Sequence, residues 1–421
     1  MGLAALCLIL AAIFVWGTFS GRAAAISTPI FFVATGVVMA QGELLLGHEP
    51  DPHLIKVAAE VTLVWVLFAD ASRVRIADFR ADRGLYLRLL ALGLPLTIGL
   101  GAVAAAVVLG VDPWYALLLG AALAPTDAAL GSAVMSDRRI PRRVRQALNV
   151  ESGLNDGIAT PIVILAIAGI AATAGLEREG PGHALIGLLL GVVVGVVLGA
   201  GGGALQRTAR RRGWSSDEFA GPAVLALALL AYLGAVANDA NGFVAAFVAG
   251  SAYGAFAGRG GEKEVYYVEQ TCGLASMVSW SVFGFVLLPA LAAGWTWHIV
   301  VYAVLSLTVI RMLPVAIALI GFRTDRTTVL FVGWFGPRGL ASIVFALIAL
   351  EDLHDVRGPI DEVVGAIGLT VLLSVLAHGL SARPLAGRYA ATRAEDLDEA
   401  QHPEPALRRF VSQKPKSNDR P

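Results

Sequence analysis

The segment APTDAALGS, residues Ala124 to Ser132, interrupts a run that is otherwise almost entirely alanine, leucine and glycine. Proline removes a backbone hydrogen-bond donor and frees carbonyl groups in the preceding turn, so a helix through this run is expected to break near Pro125. Asp127 stands directly after the break, where it can cap a half-helix and neutralise a charge. The segment therefore predicts a discontinuous helix with polar backbone groups inside a membrane.

The composition of the whole chain indicates a membrane protein. Its 421 residues are 57% hydrophobic and 15% charged, whereas a soluble domain carries about 25% charged residues. Apolar runs of about 20 residues, the length that crosses the hydrocarbon core of a bilayer, recur almost from end to end. We therefore predict an all-α polytopic protein of the cell membrane with no separate enzyme domain. Cys7 and Cys272 lie in apolar runs, so no disulfide, metal cluster or cofactor is predicted, and no nucleic acid partner.

Hydropathy predicts thirteen transmembrane spans joined by short loops. They lie at about 3–19, 26–45, 54–71, 84–109, 114–135, 147–174, 183–205, 219–237, 241–258, 268–292, 296–320, 327–350 and 362–386. The first is interpreted as a span rather than a cleaved signal, because no basic residue precedes it. Residues 390–421 are charged and contain proline, which predicts a disordered cytoplasmic tail.

Arginine clusters predict the orientation of these spans. The loops after the third, fifth and seventh spans are rich in arginine, as in DRRIPRRVR at residues 137–145, and the loops between them are poor in basic residues. Basic loops stay on the cytoplasmic side. The N-terminus is therefore predicted outside and the C-terminus inside.

The twelfth predicted span contains a second break, GPRG, at residues Gly336 to Gly339. The fifth and twelfth spans are seven apart in order, and each carries one charge beside its proline. This pattern is typical of an inverted repeat in which two discontinuous helices cross at mid-membrane. Asp127 in one break and Arg338 in the other can offset opposed helix dipoles. Two unrelated proline kinks are the alternative.

The sixth predicted span carries NVESGLNDGIATPI, residues Asn149 to Ile162. Ser152 and Asp156 are four residues apart, so they share a helix face and can point together towards the fifth span. A carboxylate, a hydroxyl and nearby carbonyls form a hard-oxygen site suited to Na⁺ or Li⁺. Because a proton can neutralise the same carboxylate, Asp156 can hold a cation or a proton in competition, as an exchanger requires.

Three further charges lie in apolar runs. Arg311 and Arg338 each need a counter-charge, for which Glu151, Asp127 and Asp156 are the available acids. Asp70 lies near the predicted cytoplasmic end of the third span, where it either guards the path of an ion or pairs with a neighbouring arginine.

The seventh span repeats glycine at every fourth position: Gly187, Gly191, Gly195, Gly199 and Gly203. Such a flat face indicates either close helix packing or a linker helix between two moving halves.

Taken together, APTD, ESGLND, Arg311 and GPRG resemble the monovalent cation:proton antiporters, in particular the electroneutral Na⁺/H⁺ exchanger branch. The resemblance covers about residues 1–390. It implies a transmembrane antiporter domain at about 1–389, with a dimerisation part at about 1–75 and 219–293. It also implies a core part at about 84–178 and 296–389, with residues 183–205 as the linker helix, and a homodimer in the lipid bilayer.

The resemblance also implies roles for single residues. Asp156 would bind the cation and the proton, with Asn155, Ser152, Thr126 and Asp127 around it. Glu151 and Arg311 would form a structural ion pair, Asp127 and Arg338 would compensate the helix breaks, and Asp70 would lie in the cytoplasmic funnel. The Asn-Asp pair implies one cation exchanged for one proton without net charge movement. The function expected is sodium transport and pH homeostasis by an elevator movement of the core.

Other functions are weaker predictions. An exchanger selective for K⁺ stays open, and a cation channel without proton coupling would not need Arg311 or Arg338. A carrier of organic anions would require unpaired basic residues at the site. An intramembrane hydrolase would need a serine paired with a histidine, and His378 is predicted near a cytoplasmic end, away from such a partner.

Overall fold

The computed structural model describes residues 3–22, 27–46, 52–74, 82–175, 181–258, 261–292, 294–322, 324–356 and 358–392. The predicted disordered tail lies almost wholly outside these residues, as do parts of several predicted loops. Within the described ranges the secondary structure is helical: α1 (Leu3–Phe19), α2 (Thr28–Leu46), α3 (Pro52–Arg73), α4 (Arg83–Val108), α5a (Pro113–Ala122), α5b (Ser132–Met135), α6 (Arg142–Thr173), α7 (Pro181–Arg211), α8 (Asp217–Val236), α9 (Gly242–Phe256), α10 (Glu262–Ala292), α11 (Trp297–Ala318), α12a (Arg326–Trp334), α12b (Leu340–Asp352) and α13 (Ile360–Ala391).

The all-helical prediction is confirmed, and each of the thirteen predicted spans corresponds to one helix or to one broken helix. Several helices extend past the hydrophobic run, because polar residues continue the helix where it leaves the apolar region. For example, α6 begins at Arg142 and not at 147. Six helices in the described part of the chain are long and apolar enough to cross a membrane on length and composition alone.

The two predicted breaks cross each other. Helix α5a ends at Ala122, and residues 335–339 separate α12a from α12b. The backbone N–H of Asp127 donates to the carbonyl oxygen of Pro337 at 2.8 Å, which joins the two breaks directly. Every residue of α12b from Leu340 to Ala349 is buried, as expected for a half-helix enclosed by its neighbours.

The second half of the fifth span is much shorter than predicted. After the break the chain makes turns through residues 128–131 and only one helical turn, α5b, before Ser136. The carboxylate of Asp127 accepts hydrogen bonds from the N–H groups of Ala129 and Leu130, at 2.7 and 3.1 Å. Such hydrogen bonds from the backbone to a side chain compete with those of a helix, and here they stabilise a turn where a helix was predicted.

The glycine face of α7 packs against the backbone of α9. A β-carbon added at Gly191, Gly195 or Gly199 would collide with main-chain carbonyl oxygens of Asn241, Ala245 and Ala249 respectively. At the end of this contact the N–H of Asn241 donates to the carbonyl oxygen of Gly187 at 2.9 Å. The glycine repeat therefore serves close helix packing along the length of α9.

Candidate functional site

The charges in the two helix breaks each bond to the end of the other broken helix. Asp127 Oδ2 accepts from the N–H of Leu340, the first residue of α12b, at 2.9 Å. Arg338 Nη1 donates to the carbonyl oxygen of Ala124, just beyond the end of α5a, at 2.7 Å. A carboxylate at a helix N-terminus and a guanidinium at a helix C-terminus are both favourable to the helix dipole. The break charges therefore compensate each other's half-helices.

Arg338 is fully buried, and the hydrogen bonds of its guanidinium go to main-chain carbonyl oxygens. The sequence predicted a carboxylate partner among three acids. Instead of a carboxylate, the guanidinium contacts carbonyl oxygens at the negative end of the α5a dipole. The carbonyl oxygen of Ser306 is a further acceptor at 3.4 Å.

Both glycines of GPRG are required by close contacts to charged groups. A β-carbon at Gly339 would overlap the carboxylate of Asp127, and one at Gly336 would overlap the guanidinium of Arg311. The motif therefore combines a proline, which lies in the segment between α12a and α12b, with two positions where a side chain would displace a charged group. Sequence alone showed the proline and the arginine but could not show what the glycines face.

Glu151 and Arg311 form a bidentate ion pair. Arg311 Nη1 donates to Glu151 Oε1, and Arg311 Nη2 donates to Glu151 Oε2 at 3.0 Å. Their side chains are 6% and 4% exposed. Arg311 lies three residues beyond Thr308, where the backbone of α11 departs from helical geometry. The pair joins α6 to α11 inside the protein.

The polar residues of α6 and of the α5 break form a small hydroxyl and amide cluster. Thr126 Oγ1 lies 2.9 Å from Ser152 Oγ, and Asn155 Nδ2 donates to Thr126 Oγ1 at 2.8 Å. Asp156 is buried next to this cluster, one turn after Ser152. Oδ1 of Asp156 and Oδ1 of Asn155 are buried and have no hydrogen-bond partner among the described residues. Buried polar oxygens are nearly always bonded, so each of these two acceptors is chemically able to receive a cation or a proton.

A cavity of about 710 Å³ leads to Asp156. Its walls come from the α5 break, α6, α12b and the facing sides of α3 and α10, and Arg142 and Arg145 of the arginine-rich 137–145 segment also line it. Thr126 and Asp127 line the same cavity, and Asp156 is near enough to Asp127 and Asp70 to interact with both electrostatically. The cavity therefore connects the carboxylate of Asp156 with the side of the protein where the arginine-rich loop lies.

The sequence left open whether Asp70 lies on the path of an ion or pairs with a neighbouring arginine, and the structure shows both. Asp70 lines the cavity, and its Oδ1 accepts a hydrogen bond from Arg73 Nη1 at 3.3 Å. The sequence did not predict the next member of this group: Arg73 Nε lies 2.7 Å from Glu269 Oε1 on α10. Glu269 is an acid in a mostly apolar stretch, which was a detectable signal, but its partner lies 196 positions earlier in the chain and so could not be found from spacing.

A serine and a histidine do meet at the α12 break, contrary to the prediction from sequence. Ser374 Oγ lies 3.3 Å from His378 Nδ1, because the two residues are one turn apart on α13. Both are buried away from the cavity; Ser374 Oγ accepts from the N–H of Arg338, and His378 Nε2 lies 2.8 Å from the carbonyl oxygen of Trp334. The pair satisfies backbone groups that the break leaves free, so its role is structural.

A further ion pair joins the N-terminal end of α3 to the C-terminal end of α12b. Lys56 Nζ, near the start of α3, lies 3.1 Å from Asp352 Oδ1 and 3.6 Å from Glu351 Oε1, at the end of α12b. Glu60, one turn along α3, accepts a hydrogen bond from the hydroxyl of Tyr232 at 3.2 Å. Charges therefore tie these helices together at the end of α3 opposite to Asp70.

Comparisons with known proteins agree with this arrangement. A family model described as sodium/hydrogen exchanger, transmembrane, matches residues 8–388. The K⁺/H⁺ antiporter NhaP of Alkalimonas amylolytica is 27% identical over 330 residues, which are 76% of this chain and 56% of that protein. The K⁺/H⁺ antiporter NhaP2 of Shewanella sp. (strain ANA-3) is 25% identical over 340 residues, with the same coverage of 76% and 56%. The chain thus spans about half the length of these curated relatives.

Solved structures with a similar fold include the sodium proton antiporter MjNhaP1 of Methanocaldococcus jannaschii. Its structure at pH 8 aligns with a TM-score of 0.73 at 19% identity, covering 89% of this chain and 98% of that one. An electron microscopy map of the same antiporter aligns with a TM-score of 0.72 at 20% identity, covering 96% and 100%. At these identities the likeness shows the fold.

Proposed function

The chain belongs to the family of transmembrane sodium/hydrogen exchangers, and from this membership we propose that it exchanges one monovalent cation for one proton at Asp156. The observation that carries the proposal is the unpartnered, buried Oδ1 of Asp156 at the inner end of the cavity. A buried carboxylate is unfavourable as a bare charge, so it is neutralised by whichever cation or proton is bound. Binding of one excludes the other, and this competition couples the two fluxes.

The proposed stoichiometry of one to one rests on the residue before Asp156. Asn155 is an amide that cannot titrate, and its Nδ2 is bonded to Thr126. Asp127, the other acid in the α5 break, bonds three backbone N–H groups through its two carboxylate oxygens, which favours a capping role over ion binding. One carboxylate that alternates between a cation and a proton moves no net charge.

The proposed transport step is an elevator movement of the core, formed by α4–α6 and α11–α13, against a dimerisation part formed by α1–α3 and α8–α10 in a homodimer. The cavity lies between these two parts, with α3 and α10 on one wall and α5, α6 and α12b on the other. The Lys56–Asp352 pair joins them at the opposite end of α3. With arginine-rich loops inside the cell, the cavity opens to the cytoplasm, the N-terminus lies outside and the protein serves pH homeostasis in the cell membrane.

Na⁺ or Li⁺ is the proposed cation, and the carboxylate and hydroxyl oxygens at the site are hard ligands of the kind that alkali cations take. K⁺ is the second candidate, favoured by the names of the curated relatives, which are K⁺/H⁺ antiporters. An uncoupled cation channel is the competing class, and it differs in a measurable way because it would carry current.

The test is exchange in proteoliposomes with a pH-sensitive dye inside. A proton gradient is imposed, Na⁺, Li⁺ or K⁺ is added outside, and each titration is repeated with the membrane voltage clamped at two values. Cation-dependent proton movement that is independent of voltage supports electroneutral exchange, and its absence in Asp156→Asn supports the site. Full exchange in Asp156→Asn, or proton movement that follows only the voltage, would contradict the proposal.

A further inference from the structure

We propose that Arg73 is a tethered cation inside the cavity that sets the apparent affinity for the transported cation by neutralising Asp70 and Glu269. This inference rests on the proposed exchange function and concerns how a cation is collected before it reaches Asp156. Arg73 sets the affinity through its charge in this scheme and does not bind the transported ion.

The geometry places one guanidinium between two carboxylates. Arg73 Nη1 donates to Asp70 Oδ1 at 3.3 Å, and Arg73 Nε lies 2.7 Å from Glu269 Oε1. All three side chains line the cavity and stay partly exposed, at 39% for Arg73, 18% for Asp70 and 24% for Glu269. The group therefore faces the space through which a cation passes and is not a sealed structural pair.

Among the residues that the structure describes, the rest of that wall's lining carries no formal charge. Along α10 the cavity is lined by Cys272, Gly273 and Ser276, which follow Glu269 on one helix face. Over the described residues, the charge that the wall of α3 and α10 presents to a cation is the sum over Asp70, Arg73 and Glu269, which is one negative charge. Removing Arg73 makes it two negative charges, and removing Glu269 makes it zero.

The charge of a narrow cavity controls the local concentration of ions of opposite sign. For a charge on the order of 10 Å from the ion, Coulomb's law gives an effect of about 2-fold on binding in a water-like medium and about 15-fold at an effective dielectric constant of about 20. A change of one unit in wall charge should therefore shift the apparent KM for the cation by a factor between these limits. Removing a positive charge from the wall should lower the KM, and removing a negative charge should raise it.

The experiment measures KM and kcat for cation-driven proton movement in proteoliposomes, at low ionic strength, for the unaltered protein, four cavity variants and one control variant. Arg73→Gln is expected to lower KM by about 2-fold to 15-fold, and Glu269→Gln to raise it by a similar factor. The double variant restores the wall charge to one negative unit and should return KM close to the starting value. Arg73→Lys keeps the charge and should change KM little.

Arg212→Gln provides the matched control. Arg212 packs over the ring of Trp214 at the end of α7, 4.7 Å from the ring centroid, and does not line the cavity. Its removal deletes one positive charge from the same protein without changing the cavity wall, so KM should stay constant. The shifts at Arg73 and Glu269 should also shrink when an impermeant salt is added, because salt screens partly exposed charges.

A purely structural role for the trio predicts a different pattern. Arg73→Gln and Glu269→Gln would then both reduce kcat or the yield of folded protein, KM would not move in opposite directions, and the double variant would not recover. That pattern overturns the inference while leaving exchange at Asp156 intact. Absence of any exchange in the unaltered protein would instead refute the proposed function, and this inference with it.

Discussion

The buried pair of Glu151 and Arg311 gives the sharpest prediction about stability. Replacing Arg311 by Gln leaves the carboxylate of Glu151 buried without its bidentate partner, and replacing Glu151 by Gln leaves the guanidinium in the same position. Removing one partner of a buried ion pair costs about 3–5 kcal/mol, because the remaining charge keeps its desolvation cost. Both single variants are therefore expected to lose about that much free energy of unfolding.

The double variant, Glu151→Gln with Arg311→Gln, should be more stable than the sum of the two single losses implies. Two neutral amides can bond to each other and leave no buried charge, so the coupling free energy should be about 2–4 kcal/mol. The side chains are 6% and 4% exposed, which places the pair in this buried class and not among surface ion pairs.

The assay is reversible unfolding in mixed detergent micelles, followed by tryptophan fluorescence, for the four proteins of the cycle. Lys263 and Asp217 give the control cycle, since their atoms are also 3.0 Å apart but their side chains are 70% and 87% exposed. The coupling free energy of this exposed pair is expected to be near zero. Additive losses at Glu151 and Arg311 would refute the reasoning, because they would mean that neither charge depends on the other.

Three further changes have defined expectations. Ser152→Ala removes a hydroxyl beside Asp156 and should raise the cation KM by about 10-fold, as expected for one lost bond to a charged group, while proton binding measured by titration stays unchanged. Gly157→Leu should slow exchange, because a β-carbon there meets the ring of Phe247 on α9; Phe247→Ala should restore the rate in the double variant, and failure to do so would exclude this contact as the cause. Gly339→Ala should displace the carboxylate of Asp127 and lower both thermal stability and exchange, whereas unchanged values would show that the break tolerates a side chain.

Much of the fold could be predicted because the bilayer imposes a strong pattern. Apolar runs of helical length located the helices, and Pro125 and Pro337, each followed by a charged residue within two positions, located both breaks. Proline alone is not sufficient for a break, since other prolines lie inside continuous helices, at Pro161, Pro222, Pro314 and Pro384. The extent of the fifth break was not predictable, because it depends on how the Asp127 carboxylate bonds to Ala129 and Leu130. The other oxygen of the same carboxylate accepts from the N–H of Leu340 in α12b, a contact between residues distant in the chain.

The candidate site was predictable in its residues and less so in its contacts. The spacing of Ser152 and Asp156 alone places them on one helix face. An acid inside a membrane span is a functional candidate because a charge there costs free energy. The partner of Arg338 was not predictable, because main-chain carbonyl oxygens have no signature in the sequence. Glu269 and the glycines of GPRG were missed for a related reason: each matters through a contact with a residue distant in the chain.

Competition between a cation and a proton at Asp156 is tested most directly by the number of protons released when a cation binds. Purified protein in a weakly buffered detergent solution, near the pH at which half of the transport sites hold a proton, is titrated with Na⁺, Li⁺ or K⁺ while the pH is recorded. Competition at Asp156 predicts saturable release that approaches one proton per bound cation as the starting pH is lowered, and no release from Asp156→Asn. Release that persists in Asp156→Asn, or cation binding by the unaltered protein without any release, would contradict competition at Asp156.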